Sequence, residues 1–272
     1  MIDREAVVRA ESERFGAVLA TTAPAARVPT CPGRDAVDLL QHPTRVHQFW
    51  AAVVGERLTG AAVQEFEQRR PALPDDPARL QLARRQATAA LLAALRARNP
   101  SEAAWSWFPP DQSADFTWRM QTHETTMHRV DAELTAGLPI SSIDAEVAGD
   151  GVDHVVDVMW AWAPPEAERR RTGTLLLRAT DTGRSWLVQT SRWTGPAWGE
   201  SPTDQIGCSR ATGGQPDATV AGTAEDLDLL LWGRAHRDVT RAGEQEALEE
   251  FQHVLDHGIP QQHGTGTSVE VV

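Results

Sequence analysis

The feature that most constrains this chain is a change of hydrophobic period near the middle of its 272 residues. In the first half, apolar residues recur at helical spacing. Val8, Phe15 and Val18 do so between about Asp3 and Leu19, and Leu39, Val46, Phe49, Trp50 and Val53 between Arg34 and Val54. Leu80, Ala83, Ala87, Leu91 and Ala94 form a third stripe ending at Asn99-Pro100, and Phe116, Met120, Met127, Val130 and Leu134 a fourth between Ala114 and Ala136. Four helices of this length, joined by Pro-rich connections such as RRPALPDDPAR, predict a four-helix bundle. The stretch AGLPISSIDAEVAGDG, punctuated by Gly and Pro, reads as a linker. Beyond it, TGTLLLRATD, RSWLVQTS and PDATVAGT have strand length and are bounded by turn residues. Two helices follow. One opens with a capping-box pair, Thr223 and Asp226, buries Leu227, Leu230 and Leu231, and stops at Gly233; the other carries Leu248, Phe251 and Leu255. The expected class is α+β: a bundle over residues 1–147, a smaller α+β domain over 148–258 and a loose tail over 259–272.

A formal net charge of -12 lacks the basic face that nucleic acid requires, so the expected partner is a small molecule or a protein. No run of about 18 apolar residues spans a membrane, and the acidic opening MIDREAVVRAESE lacks the layout of a signal peptide, which predicts a cytoplasmic location. All 26 basic residues are Arg, with abundant Ala, a bias that points to a GC-rich bacterial genome. Any cation contacting an anionic substrate must then be Arg or His. Cys31 and Cys208 match no CxxC or disulfide pattern and read as reduced thiols. Cys31 stands just before a helix start, where a thiol can be acidified, but a small turn residue is the commoner role. Nothing requires more than a monomer or a weak dimer.

The run THETTMHRVDAE, residues 122–133, concentrates the chemistry. Glu124, His128 and Asp131 follow i, i+4, i+7 spacing and share one line beside the apolar stripe, in which His123 falls. A carboxylate and an imidazole one turn apart can both reach a divalent ion at roughly 2.0–2.2 Å. Taken alone, E-x-x-x-H is more often a solvated helix face. His123 and His128 diverge by about 140°, which excludes the H-E-x-x-H geometry of metalloproteases. A third ligand must come from another helix. The second helix offers His42, inside its inward arc, and His47, at the arc's edge; these also diverge by about 140°. Either is by itself more often a core histidine, but with Glu124 and His128 a His₂Glu site in the bundle becomes a candidate. Three protein ligands leave a fourth position open, as in catalytic zinc sites, and a thiol arriving there would be deprotonated.

Three stretches, VPTCPGRDAVDLLQHPTRVHQFW, WSWFPPDQSADFTWRMQTHETTMHRVDAEL and ATVAGTAEDLDLLLWGR, together resemble the mycothiol-dependent maleylpyruvate isomerase family over nearly the whole chain. The resemblance implies a DinB-like metal-binding bundle followed by a sterol-carrier-like α+β domain that contributes to the substrate pocket. It implies a divalent metal, usually Zn²⁺, on His42, Glu124 and His128, and mycothiol, the low-molecular-weight thiol of actinobacteria, as cofactor. The implied activity is addition of that thiol to an electrophilic small molecule, as isomerase of a maleylpyruvate-like substrate or as S-transferase. Arg34 and Pro43 stand where the family usually has Trp and Leu, which questions the position of the first helix of the site. Asp131 is expected either to orient His128 or to pair with an Arg such as Arg129. Arg119 and Arg234 are candidates for an anionic substrate or the cofactor, the latter with an ordinary helix-end explanation. Trp50 and, beside it, Trp105, Trp107 and Trp118 line either a pocket or the core. The Trp-rich stretch from Arg184 to Gly214 is a candidate substrate mouth. Two other classes compete: a non-catalytic binding module with a vestigial metal site, and a hydrolase using zinc-bound hydroxide.

Overall fold

The computed structural model describes residues 1–70, 72–161, 167–194, 205–234 and 236–257. The tail expected beyond residue 258, and the middle of the Trp-rich stretch, lie outside the described residues. The chain forms two compact units, one spanning Ile2–Ser141 and the other starting at Ser142.

The first unit contains α1 (Arg4–Leu19), α2 (Ala36–Gly55), α3 (Ala61–Gln68), α4 (Pro77–Arg96) and α5 (Ala114–Thr135). The four long helices are those that the periodicity predicts; α3, eight residues long, lies between α2 and α4. Each long helix begins at a side chain that accepts an orphan backbone N–H: Asp3, Asp35, Asp76 and Ser113. At α2 the cap is reciprocal, since Asp35 accepts from Asp38 N and the Asp38 carboxylate accepts from Asp35 N. α2 packs chiefly on α4, and α1 on α5. The inward residues Val8, Phe15, Val46, Phe49, Trp50, Leu80, Leu91, Met127 and Val130 are all buried, each contributing roughly 1.5–3 kcal/mol for a large side chain.

α5 departs from an ordinary amphipathic helix: 16 of its 22 residues are buried, and several carry charge. Arg129 Nε donates to Glu11 Oε2 at 2.6 Å and its Nη1 to Glu133 Oε2 at 2.9 Å. Glu133, fully buried, also accepts from Arg14 Nε at 2.8 Å and from the Ser141 amide and hydroxyl at 2.8 and 2.6 Å. Burial pushes the Glu133 carboxyl up, and these donors more than offset it, holding it below its ordinary value. Arg84 crosses α1 at Gly16: its Nη1 donates to Ser12 O at 2.8 Å and its Nε to Gln81 Oε1 at 3.2 Å, and a Cβ on Gly16 would fall 2.6 Å from Arg84 Cζ.

In the second unit, the first element is a helix, α6 (Ala145–His154), continued by a π-helical turn over Val155–Met159. The stretch read as a linker is therefore helical from Ala145, with Asp144 accepting from Glu146 N and Val147 N as its cap. The strands β1 (Glu168–Ala179), β2 (Ser185–Thr194), β3 (Gln205–Arg210), β4 (Ala218–Gly222) and β5 (Thr240–Gly243) form one sheet in the order β3-β2-β1-β4-β5. All pairs are antiparallel except β1 with β4. Helix α7 (Ala224–Leu231) starts at Thr223, whose hydroxyl oxygen accepts from Asp226 N at 3.1 Å, and Leu227, Leu230 and Leu231 are buried as the pattern predicts. Helix α8 (Gln245–His257) buries the expected Phe251 together with Ala247 and Val254, while the expected Leu248 and Leu255 are half-buried. No described helix is long and apolar enough to cross a membrane.

The buried network on α5 sets the first expected outcome. Glu133→Ala removes the fully buried one of Arg129's two counter-charges, leaving Glu11 alone, and should lower unfolding free energy by about 3 kcal/mol. Arg14→Ala, at the half-exposed end of the same network, should cost under about 1 kcal/mol. Urea unfolding of both variants checks this; equal effects would show that the network does not order the bundle.

Candidate metal centre

His42 enters the bundle interior seven residues after the Asp35 cap, on the second turn of α2. Pro43 follows it and is buried inside a helix that runs unbroken to Gly55. The proline lacks the N–H that would bond Leu39 O, and in the next turn Thr44 Oγ1 donates to Leu40 O at 2.7 Å. The helix therefore carries His42 to α5 despite the proline. His42 Nε2 lies 3.3 Å from Glu124 Oε1, and His128 Nε2 lies 3.1 Å from the same oxygen. The two imidazoles meet edge to face with centroids 4.8 Å apart. One donor atom from each of His42, Glu124 and His128 lies within 4.8 Å of the others, a separation that small rotations close to the span of two ligands on one ion.

The electrostatics fit a cation. Glu124 is 4% exposed; burial pushes its carboxyl up, but His128 and His42 override this and hold it below its ordinary value. His128 faces carboxylates on both sides, Glu124 at Nε2 and Asp131 Oδ2 at Nδ1, 3.1 Å away. Burial lowers its pKa, and Glu124 and Asp131 outweigh that, raising it to about 9. A protonated imidazole thus stands between two carboxylates, and a metal ion would replace its Nε2 proton while Nδ1–H goes on donating to Asp131.

Two sequence models match the chain: the mycothiol maleylpyruvate isomerase N-terminal domain over residues 6–133, and the MDMPI C-terminal domain over residues 146–250. The chain belongs to the mycothiol-dependent maleylpyruvate isomerase family. Among solved structures, the mycothiol-dependent maleylpyruvate isomerase and a histidine-to-alanine mutant of it each match with a TM-score of 0.58 at 15% identity, covering 89% of this chain and 93% of theirs. This likeness is one of fold. No curated protein matches the sequence.

Within this family fold, the remaining candidates separate. Asp131, 0% exposed, meets His128 and accepts from Thr30 Oγ1 at 2.6 Å, while Arg129 turns to Glu11 and Glu133. His47 is buried against α4: Thr88 Oγ1 donates to Arg84 O at 3.1 Å, so it accepts from His47 Nδ1 at 3.0 Å. That leaves the His47 Nε2 lone pair without a partner among the described residues, beside a cavity of about 10 Å³ bounded in part by Ser12, Arg84 and His128. Burial drives the His47 pKa down to about 3. Trp50 is buried, stacked on Trp105 with ring centroids 5.8 Å apart. Trp107 Nε1 donates to Met120 Sδ at 3.3 Å. Arg119 lies half-buried on α5. Arg234 is in the second unit, where Nη1 donates to Trp232 O at 2.6 Å and closes the end of α7. Cys31 packs against the cluster of Phe15, Val18 and Val28, as a turn residue would, and burial pushes the Cys208 thiol well up. Arg34 is exposed, and its backbone N–H and C=O close the loop before α2. Sequence reasoning missed Thr30, which has no periodic relation to α5; a short polar residue in a loop carries no signal of a contact 101 positions away.

These shifts give opposite slopes with pH in the metal-free chain. His128, raised to about 9, contributes stability that is complete below its ordinary value of about 6.5 and is lost as pH rises through 9. His47, lowered to about 3, refuses a proton that the unfolded chain accepts below about 6.5, so stability falls with pH from there. Urea midpoints of metal-free protein should therefore be highest near about pH 6.5 and lower near about pH 5 and 9; a midpoint still rising toward alkaline pH would contradict the charged state assigned to His128.

Proposed function

We propose that this chain is an enzyme that uses a divalent metal, Zn²⁺ by its donor set, to activate the thiol of mycothiol for addition to an electrophilic small molecule. It acts as isomerase of a maleylpyruvate-like substrate or as thiol S-transferase. The observation that carries the reading is the convergence of His42, Glu124 and His128 in the interior of the bundle, a His₂Glu set with donors within 4.8 Å in a chain of the maleylpyruvate isomerase family. A metal ion held there supplies positive charge that makes a thiol reaching its open side acidic near neutral pH.

The chain's own residues prepare that step. His42 and His128 offer Nε2 lone pairs, and Glu124 supplies the one negative charge of the set. Asp131 keeps the other His128 proton at Nδ1, 3.1 Å away, which fixes the tautomer that presents Nε2. Glu124 is buried, which limits competition from water for its carboxylate. The two activities differ only in the fate of the carbon–sulfur bond: an isomerase lets it break again after rotation about the former double bond, and a transferase keeps it.

Calorimetric titration of Zn²⁺ into the metal-free chain, in buffers of different ionisation enthalpy, tests the reading. One equivalent should bind and, between about pH 6.5 and 9, displace the His128 proton into the buffer. Glu124→Ala should abolish binding, and mycothiol should bind only the zinc-loaded wild type. Turnover without added thiol would favour the hydrolase instead, and thiol binding indifferent to zinc would favour the binding module.

A further inference from the structure

We propose that Thr30 is a positioning residue for the metal centre, a strap from the loop ahead of α2 that holds the Asp131 carboxylate on His128. This rests on the metal reading above. The contacts form a continuous line: Thr30 Oγ1 donates to Asp131 Oδ1 at 2.6 Å, His128 Nδ1 stands 3.1 Å from Asp131 Oδ2, and His128 Nε2 stands 3.1 Å from Glu124 Oε1. Asp131 is fully buried. Thr30 and His128 meet different oxygens of one buried carboxylate, and a hydrogen bond on each oxygen restricts rotation about its last bond. A donor on the second oxygen sets the plane of the carboxylate, and with it the ring of His128.

The hydroxyl can do this because its loop is rigidly tied to α2. Val28 N donates to Arg34 O at 3.2 Å, Cys31 N to Val28 O at 3.2 Å, Arg34 N to Cys31 O at 3.1 Å and Ala36 N to Ala26 O at 2.9 Å. Arg27 and Asp35 form a bridge that closes the loop at the cap of α2. Gly33, at φ 91°, makes the reversal without strain. The Thr30–Asp131 bond therefore joins the segment that carries His42 to the helix that carries Glu124 and His128. It acts on the spacing of the two ligand helices as well as on the ring of one ligand.

The test compares the full-length wild type with Thr30→Val, which keeps the shape and removes the hydroxyl, and Thr30→Ser, which restores it. Zinc affinity is measured by competition with a chromophoric chelator, and the His128 Nδ1 proton of the metal-free chain is followed by NMR. Thr30→Val should weaken zinc binding about tenfold, as outer partners of metal-bound histidines do, and should shift or broaden the downfield Nδ1 proton; Thr30→Ser should recover both. Wild-type affinity and an unmoved Nδ1 proton in Thr30→Val would overturn the assignment, as would a loss of thermal stability with zinc affinity unchanged. A wild type that shows the Nδ1 proton and its response to Thr30→Val, yet binds no zinc, would remove the metal reading and leave Thr30 as a strap on a metal-free histidine.

Discussion

The bundle is organised by the need to neutralise charge on a helix that has almost no solvent-facing side. Taking an ion out of water costs several kcal/mol unless a partner meets it, and α5 carries Glu124, Arg129, Asp131 and Glu133 into the interior. Some partners lie on α5 itself, Glu133 for Arg129 and His128 for Glu124 and Asp131, and the others come from elsewhere in the unit: His42 from α2, Glu11 and Arg14 from α1, and Thr30 from the loop between them. Glu11 and Arg14 lie three apart on one face of α1 and grip Arg129 and Glu133, so sliding α1 by one turn would break both bonds at once. An apolar core tolerates such slips more readily, since hydrophobic residues of about the right size pack in several ways. The register of the helices is thus polar in origin, and the metal ligands are part of the same set of pairings.

The apolar stripes made the four long helices readable because their period survives any detail of packing. The same logic located Glu124, His128 and Asp131 on one line. It put His42 inside the inward arc of α2 and His47 at the arc's edge but could not choose between them, because the choice depends on neighbours. Thr88 Oγ1 on α4 accepts a hydrogen bond from His47 Nδ1, while Glu124 on α5 meets His42; neither contact is local in sequence.

The second unit was less legible for related reasons. Gly149 and Gly151 made the start of α6 read as a linker, whereas a Cβ on Gly151 would collide with the Asp228 carboxylate of α7. The glycine marks a close helix contact, which sequence alone cannot tell from a turn. β5 has four residues, all exposed, and so no alternation to detect. Pro43 shows the opposite case: a residue that normally interrupts a helix sits buried within α2, where packing outweighs the missing hydrogen bond.

Gly16 extends this point to how such a bundle can vary. The Arg84 guanidinium occupies the slot that the absent side chain leaves on α1, and it is held there by Ser12 O and Gln81. Enlarging residue 16 displaces a buried cation, and shortening residue 84 opens a void lined by polar atoms. Neither single step is neutral, so the two positions constitute one heritable unit, and descendants of this chain should alter them together or keep both.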